Sequence, residues 1–563
     1  MEHASIRARK SFWPRLLAAL ALLAMLIVGR YTYRDYGLTV DETWERETSL
    51  INYQYVVKTL LGKDLDLFPT QLENYRERYY GAALQLPTVF VEHLTGFTMP
   101  SRDIYMMRHL WSFVICMTGN LCFYLFLERV FSNRWYALLG LLMLALYPRF
   151  WGEQFTNIKD MVFMATCCWA LLATALSLRH EGKWRWEVLS ALLFALCANT
   201  RIIGFLFPSL LFGYRVLRDG VLTPVWKEGG ARRFVAQLAK HALALLLMLV
   251  CYVLVTPAAW ASPLRFIIEA FAKFSNYNDW NGTIYFLGNR YPYYALPWYY
   301  LPTWLSLSIP LSYLAFVLAG AAGAVAFVLR SRRRLGSALR RVLLGPGRWF
   351  VLCLTVAVLP VAAAILMHST LYSGWRHMYF IFPELVVVAL FGVQWLFRLL
   401  RGRRWPRRIL AGGLAALLAG QACWIGWMHP FEKFYLNPVG QSMCDLLEKD
   451  YWYESTTAQI LHILEVDDSR RINLSHNAFS YLPAFHYLSD EDARRVYVYN
   501  SLTYTDWTPI DYIIDESCGP VSSTFPGFTP VYELRCANGM LLSTIYMRDE
   551  ALAERFGGQW PQQ

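Results

Sequence analysis

The chain has 563 residues, of which 56% are hydrophobic and 16% aromatic, while only 17% are charged. Soluble domains carry about 25% charged residues, so this composition excludes a soluble globular protein. Apolar stretches near the roughly 20 residues that cross a bilayer recur through the first three quarters of the chain. The formal net charge of +12 is explained by basic loops at anionic lipid headgroups, and nucleic acid is rejected as a partner. The composition predicts a polytopic membrane protein.

Eleven stretches are predicted to span the bilayer, with ends placed to within a few residues. They are 12–29, 110–127, 136–148, 160–178, 187–200, 202–217, 241–258, 303–329, 349–367, 378–397 and 409–428. Lys and Arg are concentrated in alternate connections, namely the N-terminal segment and residues 179–185, 330–341 and 401–408. Because cytoplasmic loops are enriched in these residues, the N-terminus is predicted to be cytoplasmic and the tail to lie outside.

Most of the chain outside the spans is therefore expected on the outer side. Residues 1–428 form the predicted membrane domain, with external loops at about 30–109, 149–160 and 259–302. Residues 429–563 are long enough for one small external domain. The chemistry is expected in these external segments.

The C-terminal domain has the pattern of a small α/β fold. A helical stretch at 442–464 precedes five strand-like runs and one further helix: RINL, RVYVYN, DYIID, PVYELR and MLLSTIYM, with AFSYLPAFHYLS as the helix. The absence of a phosphate-binding glycine loop or a nucleophile elbow favours a lid or recognition domain over an independent enzyme. Cys518 and Cys536 would form a disulfide in an oxidising compartment, leaving Cys444 unpaired.

Acidic residues occur at the predicted outer ends of two spans. Asp41 and Glu42 follow the first span in YGLTVDETWE, and Asp160 ends the loop RFWGEQFTNIKD at the mouth of the fourth. A carboxylate at a membrane interface is solvated, paired or functional. A solvated pair is the ordinary interpretation of an Asp-Glu dipeptide, and Lys159 and Arg149 offer pairing to Asp160.

Cationic residues lie in turns on the same predicted side. Arg149 lies in the loop that Asp160 ends, Arg201 is in a tight turn, and Arg376 and His377 are in HSTLYSGWRH. Arginine at an interface can simply extend its head into water. The planar guanidinium is also the natural binder of phosphate oxygens. Carboxylates beside such a cluster predict a lipid-phosphate substrate with a reacting group above it.

Together these motifs resemble the C-type glycosyltransferases of the membrane, specifically bacterial relatives of protein O-mannosyltransferases and of the aminoarabinose transferase. The acidic pair of the family's first external loop is matched by Asp41-Glu42 in GLTVDE, and its second acidic position by Asp160. The segments GWRHMYFIFP (374–383) and LNPVGQSMCDLLEKDYWYES (436–455) resemble one branch of uncharacterised relatives, which usually has Gly where Tyr453 stands. The resemblance covers most of the chain.

The resemblance implies a helical, GT-C-like membrane fold with a small α/β domain, in a bacterial inner membrane, with that domain periplasmic or extracellular. It implies transfer of a sugar from a polyprenyl-phosphate donor to a hydroxyl of a protein, lipid or glycan, with inversion. Asp41 is then expected to be the base that takes the acceptor proton, a role that contributes about 10²–10⁴-fold. Arg201 and Arg376, with Arg149 and His377, are expected to bind the donor phosphate.

The role of the second carboxylate stays open. Asp160 with Glu42 could hold a divalent metal, position the acceptor or orient neighbouring Arg and Lys side chains. Relatives differ in whether they need a metal, and hard oxygen ligands would suit Mg²⁺ or Mn²⁺. No other cofactor is expected. Lys159 is a candidate substrate contact.

Aromatic residues crowd the external segment NDWNGTIYFLGNRYPYYALPWYYLP. Such residues usually anchor helix ends at the membrane interface. The functional alternative is a platform for the sugar ring or a groove for the isoprenoid tail, with Tyr291, Tyr293 and Tyr294 as candidates. Likewise YRERYYG (75–81) is either an acceptor-side helix or a solvated amphipathic stretch.

Two other classes of protein are weighed against the transferase. A transporter keeps charged residues near the bilayer midplane and often has repeated halves, whereas the predicted spans here are almost free of charge and show no repeat. A non-catalytic membrane scaffold with a partner-binding tail is the third interpretation. Replacement of Asp41 by Asn separates these classes, because it should abolish an enzyme and leave a scaffold working.

Overall fold

The computed structural model describes residues 2–96, 100–275, 280–450, 453–476, 482–500, 509–516 and 525–561. Helices make up most of this part, and strands occur in one hairpin and one five-stranded sheet. Cys518 lies outside the described residues, so the predicted pairing with Cys536 stays a prediction; Cys444, predicted to be unpaired, is a free thiol in the structure.

In the first half of the described chain, all regular secondary structure is helical. Its helices are α1 Glu2–Thr32, α2 Val40–Leu61, α3 Leu86–Thr95, α4 Arg102–Val130, α5 Arg134–Ala145, α6 Pro148–Thr156, α7 Asp160–Arg179, α8 Trp184–Thr200, α9 Leu206–Leu217, α10 Val225–Leu254 and α11 Pro263–Ser275. A hairpin of strands β1 Thr283–Phe286 and β2 Asn289–Pro292 follows in the aromatic external segment.

The remaining helices begin beyond this hairpin. They are α12 Tyr300–Ser308, α13 Leu311–Ser331, α14 Leu335–Leu344, α15 Gly347–Leu366, α16 Phe382–Leu399, α17 Arg404–Met428, α18 Pro438–Gln441, α19 Glu454–Val466, α20 Leu482–Tyr487, α21 Asp490–Arg495 and α22 Asp549–Phe556. A 3₁₀ turn, Arg376–Ile381, leads into α16.

Eight helical segments of the described chain are long and apolar enough to cross a bilayer: Phe12–Thr32, Arg102–Val130, Asp160–Arg179, Gly229–Leu254, Leu311–Leu344, Gly347–Leu366, Arg376–Leu399 and Arg404–Met428. The other three predicted spans coincide with the shorter helices α5, α8 and α9. α7 is buried along most of its length, whereas Leu20, Leu243 and Leu318 of the outer helices are more than 49% exposed. Since such apolar surface suits lipid, the chain is an integral multi-pass membrane protein.

The C-terminal domain contains the predicted sheet. Its strands are β3 Ile472–His476, β4 Val496–Asn500, β5 Tyr512–Glu516, β6 Phe528–Arg535 and β7 Leu541–Arg548, in the order β4-β3-β5-β7-β6. β3 pairs in parallel with β4 and β5, and β7 pairs antiparallel with β5 and β6. All five strand-like runs of the sequence are confirmed. Their apolar side chains, such as Leu474, Ile514 and Ile545, form one core with Ile460 of α19.

The predicted helix over 442–464 is wrong in its first half. Only α19 is helical, after a 3₁₀ turn at Cys444–Leu446. Tyr453 has φ 60°, a left-handed conformation that a helix cannot continue through. Before it, the Gly288 N–H donates to the Leu446 carbonyl at 3.0 Å, and the Glu448 N–H donates to the Tyr285 carbonyl at 3.1 Å. The segment therefore pairs with the hairpin, which places it against the membrane domain.

Candidate active site

The acidic pair lies in the first turn of α2. Glu42 is fully buried, and its Oε1 accepts from the Thr39 N–H at 2.8 Å and the Thr39 hydroxyl at 3.0 Å. Its Oε2 lies 2.7 Å from Nε2 of the buried His109. Reciprocal bonding of this kind between a helix start and the third residue fixes where a helix begins. Glu42 thus anchors the turn, and Asp41 is the member of the pair that faces the solvent-accessible side, with 25% of its side chain exposed.

Three distant loops converge on Asp41. Arg376 Nη1 lies 2.6 Å from Asp41 Oδ2, and Arg376 Nε lies 3.8 Å from Oδ2 of the buried Asp160. Arg201 makes an ion pair with the other oxygen of Asp160. The structure therefore brings together Asp41, Asp160, Arg201 and Arg376, four of the residues singled out in the sequence. Negative and positive side chains alternate along the cluster, in the order Asp41, Arg376, Asp160 and Arg201.

Lys159 extends this cluster toward the first external loop. Its Nζ lies 2.8 Å from Glu45 Oε1 and 3.5 Å from the centre of the Tyr80 ring. A cation over an aromatic face is attracted by the ring quadrupole. Tyr80 belongs to YRERYYG, which forms turns in place of the helix that was one alternative. A cation and a ring thus form one wall of the site.

The charges of the cluster act on Asp41 from several sides. Burial alone would raise the pKa of Asp41, but Arg376, Lys159 and Arg201 hold it below its usual 3.8. Burial alone would likewise lower the pKa of Lys159, but Glu45 and Asp41 raise it above its usual 10.5. Both groups are charged at neutral pH, so the site presents an ionised carboxylate among fixed cations.

The turn before Arg376 has a strained backbone. Ser373 and Gly374 are both left-handed, with φ of 59° and 68°, and Gly374 packs on the face of Trp304. On the other side of Arg376, the hydroxyl of Tyr379 donates to Glu153 at 2.5 Å. The guanidinium is thus presented by a tightly held turn and not by a flexible loop.

The first external loop is locked to the turn that carries Arg201. The Ala83 N–H donates to the Asn199 side-chain oxygen at 3.2 Å, and Asn199 Nδ2 donates to the Thr256 hydroxyl at 2.9 Å. Gly81 approaches Asn199 so closely that any Cβ there would collide with it. Asn199 therefore ties three segments together directly before Arg201.

Of the two remaining predicted phosphate binders, Arg149 lies away from the Asp41 cluster and His377 lies beside it. Arg149 is buried and donates to the Tyr435 carbonyl at 2.9 Å, with Glu153 3.8 Å away. These contacts place it behind the turn that holds Arg376. His377 follows Arg376, and its ring packs edge-on against Tyr372, 4.6 Å between centres. The charges of Arg376, Arg201 and Lys159 all act on this ring.

One of the aromatic candidates, Tyr293, is connected to the cluster by a row of neighbouring rings. Tyr293 lies 6.3 Å from Trp280, and Trp280 stacks on Tyr372 at 4.6 Å. The Arg376 guanidinium lies 4.9 Å from the Tyr372 ring centre. Tyr291 is paired within the hairpin, and Tyr294 is 67% exposed. The row, consisting of Tyr293, Trp280 and Tyr372, forms a second wall of the site.

The geometry does not suit a metal ion held by Glu42 and Asp160. Glu42 is engaged by Thr39 and His109, while Asp160 faces Arg201 and Arg376. Within the described ranges, only Glu181, Asp219 and His241 place enough ligand atoms together for an ion. Arg218 forms bonds of 2.7 to 3.1 Å to both of those carboxylates, so a cation already occupies that position. No step of the chemistry is assigned to a metal.

Sequence reasoning missed several members of the site. Glu45, Tyr372 and Trp280 are not evident from the sequence, because each makes contacts that are distant along the chain. The helical repeat could have indicated Glu45, because this residue lies one turn after Asp41 on the same face of α2. The others lie in loops, where periodicity carries no information about contacts.

Similarity to known proteins is found among solved structures. No protein-family model matches the chain, and no curated protein matches it. Among solved structures, ArnT from Cupriavidus metallidurans in the apo state is similar with a TM-score of 0.46 and 13% identity, over 97% of this chain and 99% of that one.

Two other solved structures are similar over smaller shares. The archaeal oligosaccharyltransferase AglB from Archaeoglobus fulgidus, in complex with an inhibitory peptide and a dolichol-phosphate, has a TM-score of 0.45 and 12% identity, covering 90% of this chain and 70% of that one. The S. cerevisiae protein O-mannosyltransferase Pmt1-Pmt2 complex bound to the sugar donor has a TM-score of 0.31 and 15% identity, covering 51% and 40%. In all three comparisons the identity is 15% or lower and the TM-score is below 0.5.

Proposed function

We propose that the protein is a membrane glycosyltransferase that moves a sugar from a polyprenyl-phosphate donor to an acceptor hydroxyl. The observation that carries the proposal is the cluster of Asp41, Asp160, Arg201 and Arg376 at the ends of apolar helices. A partly exposed carboxylate beside two guanidinium groups supplies the two things this transfer needs. They are a base for the acceptor and positive charge for the leaving phosphate.

The cations account for the donor end of the reaction. As the glycosidic bond breaks, the phosphate leaves with the electron pair and gains negative charge, which Arg376, Arg201 and Lys159 are placed to stabilise. A phosphate is already stable as an anion, so no general acid is required. A hydrophobic polyprenyl chain suits a cluster at the ends of bilayer-spanning helices, since the tail can stay in the lipid while its headgroup reaches the arginines.

The acceptor end of the reaction is assigned to Asp41. The acceptor oxygen forms a bond to the anomeric carbon on the face opposite the phosphate, and its proton passes to the Asp41 carboxylate. This single displacement inverts the anomeric centre. Asp160 contacts both Arg201 and Arg376 and so holds the two cations beside one another, and the row of Tyr293, Trp280 and Tyr372 offers stacking surface to the sugar.

The proposal also states which side of the membrane the site faces. The alternation of basic loops places the N-terminus in the cytoplasm, so the cluster and the C-terminal domain face the outside of a bacterial inner membrane. The acceptor is a hydroxyl of a protein, lipid or glycan that arrives from that side. The partners are thus the lipid donor, this acceptor and the bilayer.

The test is release of sugar from a panel of radiolabelled polyprenyl-phosphate sugars by the purified protein in lipid nanodiscs. Wild type should consume at least one donor, and Asp41→Asn should lose about 10²–10⁴-fold of that activity. Donor binding is read in the same samples, since a missing acceptor can prevent turnover. Failure of the wild type both to bind and to consume any donor would overturn the proposal.

A further inference from the structure

Glu448 lies where three elements outside the membrane spans meet. Its Oε1 accepts from the Gly374 N–H at 2.8 Å and lies 3.4 Å from the Tyr300 hydroxyl of α12. Its backbone N–H donates to the Tyr285 carbonyl of β1 at 3.1 Å. One residue of the C-terminal segment is therefore bonded to α12, to the hairpin and to the turn that precedes Arg376.

That turn needs an external partner to keep its shape. Ser373 is a non-glycine residue with φ 59°, and the next residue, Gly374, is also left-handed. A left-handed φ is free for Gly374, but for Ser373 it is unfavourable and persists only where the surroundings impose it. Trp304 supports Gly374 from one side, and the Glu448 carboxylate bonds its N–H. Arg376 follows two residues later, so the position of its guanidinium depends on this turn.

We propose that Glu448 is a positioning residue through which the C-terminal domain holds Arg376 in place for the donor phosphate. The inference rests on the proposed function for the identity of the ligand, but the contact itself does not depend on it. The same segment pairs with the hairpin, because Leu447 is bridged to Phe286 and the Leu446 carbonyl accepts from the Gly288 N–H, so it connects the hairpin to the arginine turn.

Loss of the Glu448 charge has two possible effects on phosphate affinity, and they have opposite signs. Removing a negative charge near Arg376 would, by electrostatics alone, strengthen phosphate binding. Loss of positioning would weaken it. The two explanations thus predict opposite changes in the affinity of a variant that lacks the charge.

The protonation of Glu448 falls within the accessible pH range. Burial raises its pKa to about 7, although the Gly374 N–H, the Tyr300 hydroxyl and Arg376 favour the ionised form. Glu448 also lines a small cavity with three further cations, which are Arg149, Lys433 and Lys449. As pH falls through about 7 the carboxylate gains a proton, and its hold on the turn weakens.

The experiment measures the affinity of the purified protein in nanodiscs for a polyprenyl phosphate without sugar, at pH 6 and pH 8. Glu448→Gln should bind about tenfold more weakly than wild type at pH 8, the size expected for one hydrogen bond to a charged group, and like wild type at pH 6. Asp445→Asn is the matched control, because Asp445 is in the same segment but its side chain is 86% exposed. Glu454→Gln is measured alongside, since Glu454 also has a pKa of about 7.

A second measurement needs no ligand. Deuterium exchange of the peptide that contains Gly374 should be faster in Glu448→Ala than in wild type and in Asp445→Asn. Unchanged or tighter phosphate binding by Glu448→Gln at pH 8 overturns the inference while the proposed function stands. If wild type binds no polyprenyl phosphate, the proposed function fails and exchange decides: unchanged exchange overturns the positioning role, and faster exchange supports it for whichever anion Arg376 binds.

Discussion

The ion pair between Asp41 and Arg376, 2.6 Å between Oδ2 and Nη1, implies an order of events at the proposed site. A carboxylate held by a guanidinium is a weak base, because the partner favours its ionised form. A donor phosphate competes for the same guanidinium. Donor binding therefore releases Asp41 to accept a proton, and the acceptor is expected to react only after the donor is in place.

This order predicts that kcat/KM and kcat fall at different pH values on the acid side. In the free protein the pKa of Asp41 lies below its usual 3.8, so the acid limb of kcat/KM for the donor should lie below about pH 4. Once the donor takes Arg376, the pKa of Asp41 rises, and the acid limb of kcat should lie at higher pH. Steady-state rates across the acid range test this. Coincident limbs would mean that the pair stays intact through the reaction.

Replacement of Arg376 by Lys tests the need for a planar fork at this position. The guanidinium faces Asp41 through Nη1 and Asp160 through Nε, and a single ammonium cannot occupy both positions. Loss of one bond to a charged group is worth about 1.5–3 kcal/mol, so donor affinity should fall about 10- to 100-fold. Binding of labelled donor measures it. Arg330→Lys in the last turn of α13 is the control and should bind like wild type.

At the scale of elements, the start of α2 predicts a separate role for each member of the acidic pair. Glu42→Ala leaves the Thr39 N–H and the buried His109 without their acceptor, at a cost of about 1–3 kcal/mol for each buried group. The midpoint of thermal unfolding should therefore fall in Glu42→Ala, whereas Asp41→Asn should lose activity with little change in that midpoint. Glu47→Ala on the same helix controls for loss of charge. Full stability with lost turnover in Glu42→Ala would place Glu42 in the chemistry.

Elements with a regular period were predictable, and contacts between loops were not. The five C-terminal strands follow their apolar patterns, and each predicted span coincides with helix. The stretch 442–464 looked like one helix because its composition suits a helix, but its first half pairs with the hairpin. Such pairing joins residues about 160 positions apart, as Glu448 and Tyr285 show, and no local pattern records it.

The site was predictable only as far as its residues could be assigned to the same side of the membrane. Asp41, Asp160, Arg201 and Arg376 are all predicted on one face of the membrane, and the structure brings these four together. Arg149 shares the face but packs behind the Arg376 turn, since sidedness fixes depth in the membrane and not lateral position. The roles assigned to these residues stay predictions.

At the scale of the whole molecule, the junction between the membrane domain and the C-terminal domain holds buried charge. Lys433 Nζ lies 2.5 Å from Glu454 Oε2 and 3.4 Å from Asp450 Oδ1, and all three side chains are at most 7% exposed. Asp450 also accepts from the N–H groups of Glu454 and Ser455 at the start of α19. Lys433 is thus the cation that balances the carboxylates which begin the C-terminal domain.

Lys433→Met should destabilise the junction in a pH-dependent way. Burial raises the pKa of Glu454 to about 7 even with Lys433 present, and removal of the lysine raises it further. A raised acid pKa in the folded state means that the fold binds more protons than the unfolded chain, so stability falls as pH rises between the two pKa values. The variant should lose about 3–5 kcal/mol at pH 8, the cost of orphaning a buried charge, and much less at pH 5.5, where Glu454 stays neutral. Thermal unfolding in nanodiscs at both pH values measures the difference.

Lys449→Met is the matched control for this prediction. Lys449 is 5% exposed at its side chain, like Lys433, but its partner Asp445 is 86% exposed, so water replaces the lost cation. The control should therefore show a small loss that does not depend on pH. Equal losses for the two lysine variants at pH 8 would mean that packing of the side chains, and not the buried charge, stabilises the start of the C-terminal domain. A larger loss at pH 5.5 than at pH 8 for Lys433→Met would contradict the assignment of the pH dependence to Glu454.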